Sequence, residues 1–129
     1  MNKSKLPKII KEVESNFHYK VEEVWGLDLP VEEMDLAELE WHFDIPFWSK
    51  SGGNYNLKPN EVLSNLQKYK EEDERTKNAD LSFPVDIMFW KNRWLLLDGL
   101  HRLVKAKQLG HTRVKVRKIP QEFMPRIRK

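Results

Sequence analysis

The last third of the chain shows the clearest alternation of apolar and polar positions. Residues 84–90 are rich in β-branched and aromatic side chains, which favours a strand. Lys91 and Asn92 then predict a two-residue turn, because Asn tolerates a positive φ. Residues 93–97 predict the return strand, and the three consecutive leucines at its end indicate burial on both faces.

A helix and a final strand complete this part of the pattern. Residues 100–109 carry apolar side chains at helical spacing, and Gly110 suits the C-terminal end of that helix. Residues 112–119 alternate between valines and basic side chains. We therefore expect the valines to face the core and the basic side chains to face solvent.

Two further helices are predicted upstream. Residues 7–17 begin with a proline suited to a first helical turn, and apolar residues follow at helical spacing. Pro59 opens another helix, which the charged residues 70–75 continue. Its apolar stripe consists of Val62, Leu63, Leu66 and Tyr69. Residues 16–25 can hold a strand, and residues 26–56 are irregular because proline and glycine interrupt them.

These elements fit one small domain. The chain has 129 residues, which suits a single compact unit. We expect a helical extension in residues 1–24 and the domain proper in residues 25–129. Strands that alternate with helices predict an α/β fold of the α+β kind, with a small mixed sheet and flanking helices.

Composition excludes several classes of protein. The chain has no cysteine, which excludes a disulfide scaffold, a zinc ribbon and a thiol nucleophile. No apolar run approaches the ~20 residues that a membrane-spanning helix needs. The first five residues lack the apolar stretch of a signal peptide. These features favour a cytoplasmic protein without a membrane partner.

The net charge of +3 is unevenly distributed. From residue 113 onward there are seven basic residues against a single acid, Glu122. A basic segment of this kind can attract phosphate, either of a nucleotide or of a nucleic-acid backbone. The alternative is a solvated strand face followed by a disordered tail. The candidate nucleic-acid contacts on the strand are Arg113, Lys115, Arg117 and Lys118.

The junction of strand and helix at residues 97–102 carries the candidate chemistry. The first N–H groups of a helix have no partner within it, and the helix dipole adds positive charge there, so an anion fits well. Gly99 lets the backbone turn sharply. His101 and Arg102 add charged donors, and Asp98 either caps the helix or holds a metal ion.

A purely structural interpretation of this junction is also available. Asp98 can be only an N-terminal cap, Gly99 only a turn residue, and His101 with Arg102 only a solvated pair. Basic residues at a helix start are, however, unfavourable by ~0.3–1 kcal/mol each. Two of them together suggest an anion that compensates their charge.

The same junction resembles the ParB/sulfiredoxin superfamily. Residues 83–119 show that family's proline-led strand, hairpin return, glycine turn with basic residues, alanine-containing helix ending in glycine, and final strand. The turn itself reads Asp98, Gly99, Leu100, His101 and Arg102. The resemblance implies the ParB/sulfiredoxin-like fold and the binding of nucleotide phosphates at this turn.

Branches of the superfamily differ at this turn. ParB proteins carry a glutamate after the glycine and sulfiredoxins a cysteine, whereas this chain has Leu100, so neither CTP hydrolysis of the ParB type nor sulfiredoxin activity is expected. Free-serine kinases use an aspartate and a histidine spaced as Asp98 and His101 are, together with an upstream glutamate. Candidates for that glutamate are Glu32, Glu33, Glu38 and Glu40. Proteins with an Asp-Gly-Gln-His-Arg motif, linked to DNA modification, differ only at Leu100.

The resemblance implies a stand-alone domain that binds a nucleotide (ATP, ADP or CTP) with Mg²⁺. Its candidate contacts are Arg75, Gly99, Leu100, His101 and Arg102. If the ligand is turned over, phosphoryl transfer or nucleotide hydrolysis is expected, with Asp98 and His101 as catalytic residues and Asp98 at the metal.

The alternative hypothesis is a DNA- or RNA-associated binding module without turnover, related to partition or DNA modification, that uses the basic strand. Among the tryptophans and tyrosines, Trp48 and Tyr55 are the candidates for contact with a base, because loops on a rigid scaffold often carry ligands.

Overall fold

A computed structural model describes residues 21–48 and 57–127 of the chain. Within these ranges the strands are β1 (Glu32–Asp35), β2 (Val85–Trp90), β3 (Arg93–Asp98) and β4 (Arg113–Lys118). The α-helices are α1 (Val21–Trp25), α2 (Pro59–Ser64), α3 (Lys70–Lys77), α4 (Leu100–Gln108) and α5 (Met124–Ile127). Short 3-10 helices occupy Leu36–Glu38, Glu40–Asp44 and Gln121–Phe123. The helix predicted at residues 7–17 and the candidate Tyr55 lie outside the described residues.

The four strands form one mixed sheet in the order β1-β4-β2-β3. β4 runs parallel to β2, whereas β1 is antiparallel to β4 and β3 is antiparallel to β2. The β2–β3 hairpin closes through Lys91 and Asn92, whose φ angles are 52° and 66°. Positive φ at both central residues is what the favoured two-residue hairpin turn requires. The small mixed sheet with flanking helices confirms the predicted α+β class.

A β-bulge interrupts the register of the hairpin next to the candidate turn. Ile87 pairs with Leu96, but the next residue toward the chain start, Asp86, pairs with Asp98 and leaves Leu97 as the extra residue. A bulge adds one residue to a single strand and re-aims the side chains beyond it. Here it places two carboxylates opposite each other across β2 and β3.

Each face of the sheet has its own core. On one face, valines of β2 and β4 pack with Ile87 against α4, whose Leu103, Val104 and Ala106 are buried. On the other face, Met88, Leu95, Leu97 and Ile119 pack against Val24 and Leu27 at α1. Leu96 packs against the first core and its two leucine neighbours belong to the second. The leucine-rich strand is therefore covered on both faces, as its sequence predicts.

Two predicted elements differ in the structure. Residues 21–25 form the helix α1 rather than part of a strand. Arg117 donates hydrogen bonds to the carbonyls of Val24, near the end of α1, and of Leu27, just after it. The helix predicted from Pro59 onward is divided into α2 and α3. Asn65 ends α2, and its side-chain oxygen accepts a hydrogen bond from the Lys68 amide. Asn side chains compete with the helical backbone in this way.

Candidate functional site

Helix α4 begins without a side-chain cap. Gly99 occupies the N-cap position in the left-handed region, with φ 109°, and its carbonyl accepts the first helical bond from the Leu103 amide, 2.9 Å away. Gly99 is the cap residue, and in the described structure the Asp98 side chain bonds to Trp25 and Arg102, so the alternative in which Asp98 caps the helix is wrong. The amides of the first turn therefore keep the unpaired donors and positive dipole end that favour an anion.

The position of Gly99 requires a glycine. An added Cβ would lie 2.8 Å from Cγ1 of Val85, which is buried in the first core. The left-handed backbone conformation is itself unfavourable for other residues. The sequence therefore places glycine where β2 and the start of α4 come into closest contact.

A polar cleft of about 290 Å³ opens at this helix start. We call it the polar cleft; its lining residues are Arg75, Asn78, Ala79, Asp80, Phe83, Asp98, Gly99, Leu100, His101 and Arg102. The five residues predicted to contact the nucleotide phosphates are among them, including Arg75 from the end of α3. The tertiary structure thus brings the five candidate contacts and Asp98 to one concave surface.

His101 is held in the cleft wall by two neighbours from other elements. Its Nε2 lies 2.8 Å from Oε2 of Glu72, which is 8% exposed. Its ring stacks on Trp48 with 4.8 Å between centroids and 15° between planes. Trp48 is itself buried, so its ring packs against His101 instead of being free to contact a base. Its interpretation as a residue for base contact is not supported by this packing.

Glu72 is the site residue that sequence reasoning missed. It lies in the acidic run of α3, where a solvated face is the ordinary interpretation, yet its side chain is buried against α4. One oxygen contacts His101 and the other lies 3.0 Å from Nη1 of Arg75. The spacing of Glu72 and Arg75 on one helix was the only signal available, and it predicts a pair but not the third partner.

Arg75 both pairs with acids of its own helix and lines the polar cleft. It pairs with Glu72 at 3.0 Å and lies 3.9 Å from a carboxylate oxygen of Glu71, both on its own helix. Its side chain is nevertheless 58% exposed and lines the polar cleft. It can therefore turn part of its guanidinium toward a ligand without leaving its helix.

Asp98 and Arg102 form a partly exposed ion pair at the edge of the cleft. Nη2 of Arg102 lies 3.1 Å from Oδ2 of Asp98, and the same oxygen accepts a hydrogen bond from Nε1 of Trp25 at 2.7 Å. Nη1 of Arg102 donates to the carbonyl of Pro84 at 2.6 Å. Two donors thus fix one oxygen of Asp98, whose side chain remains 25% exposed.

The polar cleft carries balanced charge. Asp98 pairs with Arg102, and Glu72 contacts both Arg75 and His101. The protein itself therefore supplies carboxylates beside the basic residues for which the sequence suggests a bound anion. Asp80 adds a further negative charge, because hydrogen bonds from the Ser82 hydroxyl and amide lower the pKa of this exposed carboxyl. An anion would therefore bind here chiefly through the helix amides and the exposed part of Arg75.

None of the upstream glutamates contacts Asp98 or His101 in the described structure, although Glu33 lines a separate cavity of about 380 Å³ together with Arg102. Glu32 lies 3.5 Å from Lys118, Glu33 lies 4.0 Å from Arg113, and Glu40 pairs with Lys107 at 2.7 Å. Glu38 is exposed on a 3-10 helix. The acid that contacts the turn comes from α3 instead.

Most of the basic strand is engaged in ion pairs. Arg113 pairs with Asp35 at 2.7 Å, and Lys118 pairs with Glu32 on the neighbouring strand β1. Arg117 is 13% exposed and pairs with Asp86 at 2.7 Å. Lys115 is exposed. Of the four predicted nucleic-acid contacts, Arg117 is thus a structural residue and two others have their charge matched by carboxylates.

The described residues contain neither a cluster of metal-ligating side chains nor a helix able to cross a membrane. No group of three or more histidine, aspartate or glutamate side chains there could hold a metal ion. Asp98 is a single carboxylate beside a guanidinium, so a Mg²⁺ ion would depend on ligand phosphates for most of its coordination. None of the described helices has the length and apolar character to cross a bilayer.

Comparison of the chain with protein-family models, with curated proteins and with solved structures gave no match. The interpretation of the site therefore depends on its own geometry.

Proposed function

We propose that the protein binds the phosphate groups of a nucleotide in the polar cleft. The observation that carries this proposal is the uncapped start of α4, which opens into a cleft that also holds Arg75, His101 and Arg102. Helix amides and planar guanidinium groups are the donors that phosphate oxygens match best. ATP, ADP and CTP are the candidate nucleotides.

The same arrangement suits phosphoryl transfer or nucleotide hydrolysis as the reaction. Such chemistry needs positioning and charge stabilisation more than covalent participation by the protein. Asp98, with one oxygen fixed by Trp25 and Arg102, would orient the Mg²⁺ that the nucleotide brings. His101, fixed by Glu72 and Trp48, would contact the phosphates from the helix start.

Thermal unfolding in the presence of ATP, ADP, CTP or GTP, each with and without Mg²⁺, tests the proposal. A ligand at 100 times its dissociation constant adds ~2.7 kcal/mol, which raises the midpoint by several degrees for a domain of this size. Arg75→Ala and Arg102→Met should reduce that shift. Lys115→Ala, an exposed basic substitution on β4, is the control and should retain it.

No shift with any nucleotide would contradict the proposal, as would an unchanged shift in both arginine variants. Arg75 is mostly exposed, so its variant should fold even if Arg102→Met is destabilised. A nucleotide that stabilises the wild type and Lys115→Ala equally, but stabilises Arg75→Ala less, would support it.

Association with DNA or RNA through the basic strand has weaker support, because carboxylates already pair with Arg113 and Lys118. Such binding would weaken steeply with added salt, since it releases counterions from the phosphate backbone. Fluorescence anisotropy of a labelled oligonucleotide, measured at rising salt with Lys115→Ala as the variant, tests this second function.

A further inference from the structure

A second cleft lies on the other side of the Asp98–Arg102 pair. It has a volume of about 570 Å³, within the ~300–1,000 Å³ typical of small-molecule sites. We call it the apolar cleft, because Trp25, Val31, Phe83 and Pro84 contribute to its walls. Asp98 and Arg102 line both clefts, so the two are adjacent and share one wall.

Large apolar side chains are concentrated at this rim. Trp25 is 58% exposed, Val31 is 54% exposed and Phe83 is 62% exposed. Among the described residues these are three of the six large hydrophobic side chains that are exposed, and Phe83 is distant in the chain from the other two. A concave surface with exposed aromatic walls is typical of a site for a planar apolar group.

The floor of the apolar cleft is polar, and its donors are already engaged. Nε, Nη1 and Nη2 of Arg117 all bond to the protein, to Asp86, Leu27 and Val24 respectively. Both hydrogen bonds made to the Asp98 side chain reach Oδ2, so in the described structure Oδ1 is left as an acceptor. The floor is therefore suited to a ligand group that donates a hydrogen bond to a carboxylate.

Asp98 lines both clefts, so a single ligand that filled both would pass next to its side chain. Phosphates in the polar cleft and a planar ring in the apolar cleft would place the connecting group next to Asp98. In a nucleotide that connecting group is a ribose, whose hydroxyls are hydrogen-bond donors.

We propose that the apolar cleft binds the nucleoside part of the nucleotide, with the base between Trp25 and Phe83 and a ribose hydroxyl donating to Oδ1 of Asp98. This inference rests on the proposed function of the polar cleft. It adds a second subsite and a preference for ribonucleotides.

Calorimetric titration with three ligands separates the two subsites. Tripolyphosphate probes the polar cleft alone, ATP and CTP probe both clefts, and 2′,3′-dideoxy-ATP lacks the hydroxyls expected to reach Asp98. We expect ATP or CTP to bind at least about tenfold more tightly than tripolyphosphate, because only they bury a ring. Dideoxy-ATP should bind at least about tenfold more weakly than ATP, since a hydrogen bond to a carboxylate is lost.

Two variants and a matched control assign the effect to this cleft. Phe83→Ala should weaken ATP binding severalfold and tripolyphosphate binding less, because Phe83 contributes mainly to the apolar cleft wall and also lines the polar cleft. Phe89→Ala removes another exposed aromatic ring, 45% exposed on β2, and should change neither. Binding of a nucleotide should also change the tryptophan fluorescence of the wild type, and this change should be reduced in Trp25→Phe.

The outcomes distinguish the two proposals. Equal affinities for tripolyphosphate and for both nucleotides would overturn the nucleoside subsite and leave the phosphate site standing. No binding of any ligand would overturn both. An equal loss of ATP affinity in Phe83→Ala and Phe89→Ala would also overturn the subsite, because the effect would not be specific to this cleft.

Discussion

Two aspartate–arginine pairs lie side by side on the sheet and differ in almost every other respect. Asp86 pairs with Arg117 beneath α1, where the two side chains are 4% and 13% exposed. Asp98 pairs with Arg102 at the turn, where the side chains are 25% and 20% exposed. The bulge makes the two aspartates cross-strand partners. Like charges in that position repel, so each aspartate needs its own cation.

The buried pair has a structural role, whereas the more exposed pair lies at the candidate site. Every guanidinium nitrogen of Arg117 bonds to the protein, and two of these bonds hold the C-terminal end of α1 and the residues after it. Arg117 and Asp86 line only the apolar cleft, whereas Arg102 and Asp98 line both clefts. Polar groups that are fully satisfied and buried maintain a fold, whereas partly exposed ones at a concave surface are free to bind a ligand.

The variant expected to have the largest effect on stability is Arg117→Met. Removing the cation leaves Asp86 buried without its partner and releases two backbone carbonyls of the α1 region, so we expect a loss of about 3–5 kcal/mol in the free energy of unfolding. Arg102→Met, at the more exposed pair, should lose about 1–2 kcal/mol. Urea unfolding of both variants measures the difference, and equal losses would show that burial does not separate the pairs.

A second test contrasts two histidines. His42 is fully buried, and its ring nitrogens contact the Leu39 carbonyl and the Leu96 amide. Burial lowers the pKa of His42 to about 4 from 6.5, opposed by the hydrogen bond to Leu39 and assisted by the charge of Arg93. The unfolded chain therefore binds more protons between these values, and the free energy of unfolding should fall by up to about 3 kcal/mol as the pH drops from 6.5 to 4.

His42→Gln is the variant for this pH test, because an amide can donate to one backbone group and accept from the other. Its unfolding free energy should depend less on pH across that window than that of the wild type. His101→Gln, at the partly exposed histidine of the turn, is the control. It keeps His42, so the contribution of His42 to the pH dependence of its unfolding free energy should remain. Parallel pH profiles for the wild type and His42→Gln would contradict the assignment.

A third test compares two glycines that flank α4. Gly99 and Gly110 both have positive φ, but a Cβ at Gly110 would meet no atom within 4 Å, whereas one at Gly99 would meet Val85. Both alanine variants should lose stability through backbone strain, about 1 kcal/mol. Gly99→Ala should lose about 1–3 kcal/mol more through overpacking. Similar midpoints for the two variants in thermal unfolding would argue against the tight contact.

The smallest expected effect is that of Glu72→Gln. The substitution keeps the shape of the side chain but removes the charge that faces His101 and Arg75, so we expect a loss of about 1 kcal/mol. Glu74→Gln, an exposed acid on the same helix, should change stability by less than about 0.5 kcal/mol. If urea unfolding gives a larger loss of unfolding free energy for Glu74→Gln than for Glu72→Gln, the buried position of Glu72 is contradicted.

Much of the local structure follows from residue patterns. The β2–β3 hairpin, its turn at Lys91 and Asn92, helix α4 and the alternation along β4 all depend on residues close together in the sequence. The break at Asn65 was not predicted, because a single side-chain hydrogen bond outweighed a continuous helical pattern. The end of α1 receives a hydrogen bond from Arg117, which lies more than ninety residues away from Val24.

Some residues of the candidate site were likewise predicted from the sequence, and others were not. Gly99, His101 and Arg102 were predicted because a turn between strand and helix, with its backbone requirements and unpaired amides, is a local feature of the sequence. Glu72 was not predicted, because nothing in the sequence marks which acid of α3 becomes buried against α4. The pairing of Asp86 with Asp98 was equally hidden, since it depends on a bulge that shifts the register by one residue.

The sequence by itself thus determined the α+β class, the glycine turn and the set of polar groups at the start of α4, because these depend on short-range backbone and side-chain preferences. Only the tertiary structure decided which charges are buried, which arginine is structural, and that two clefts share the Asp98–Arg102 pair. These properties depend on long-range packing, in which the position of each side chain is set by neighbours distant in the chain.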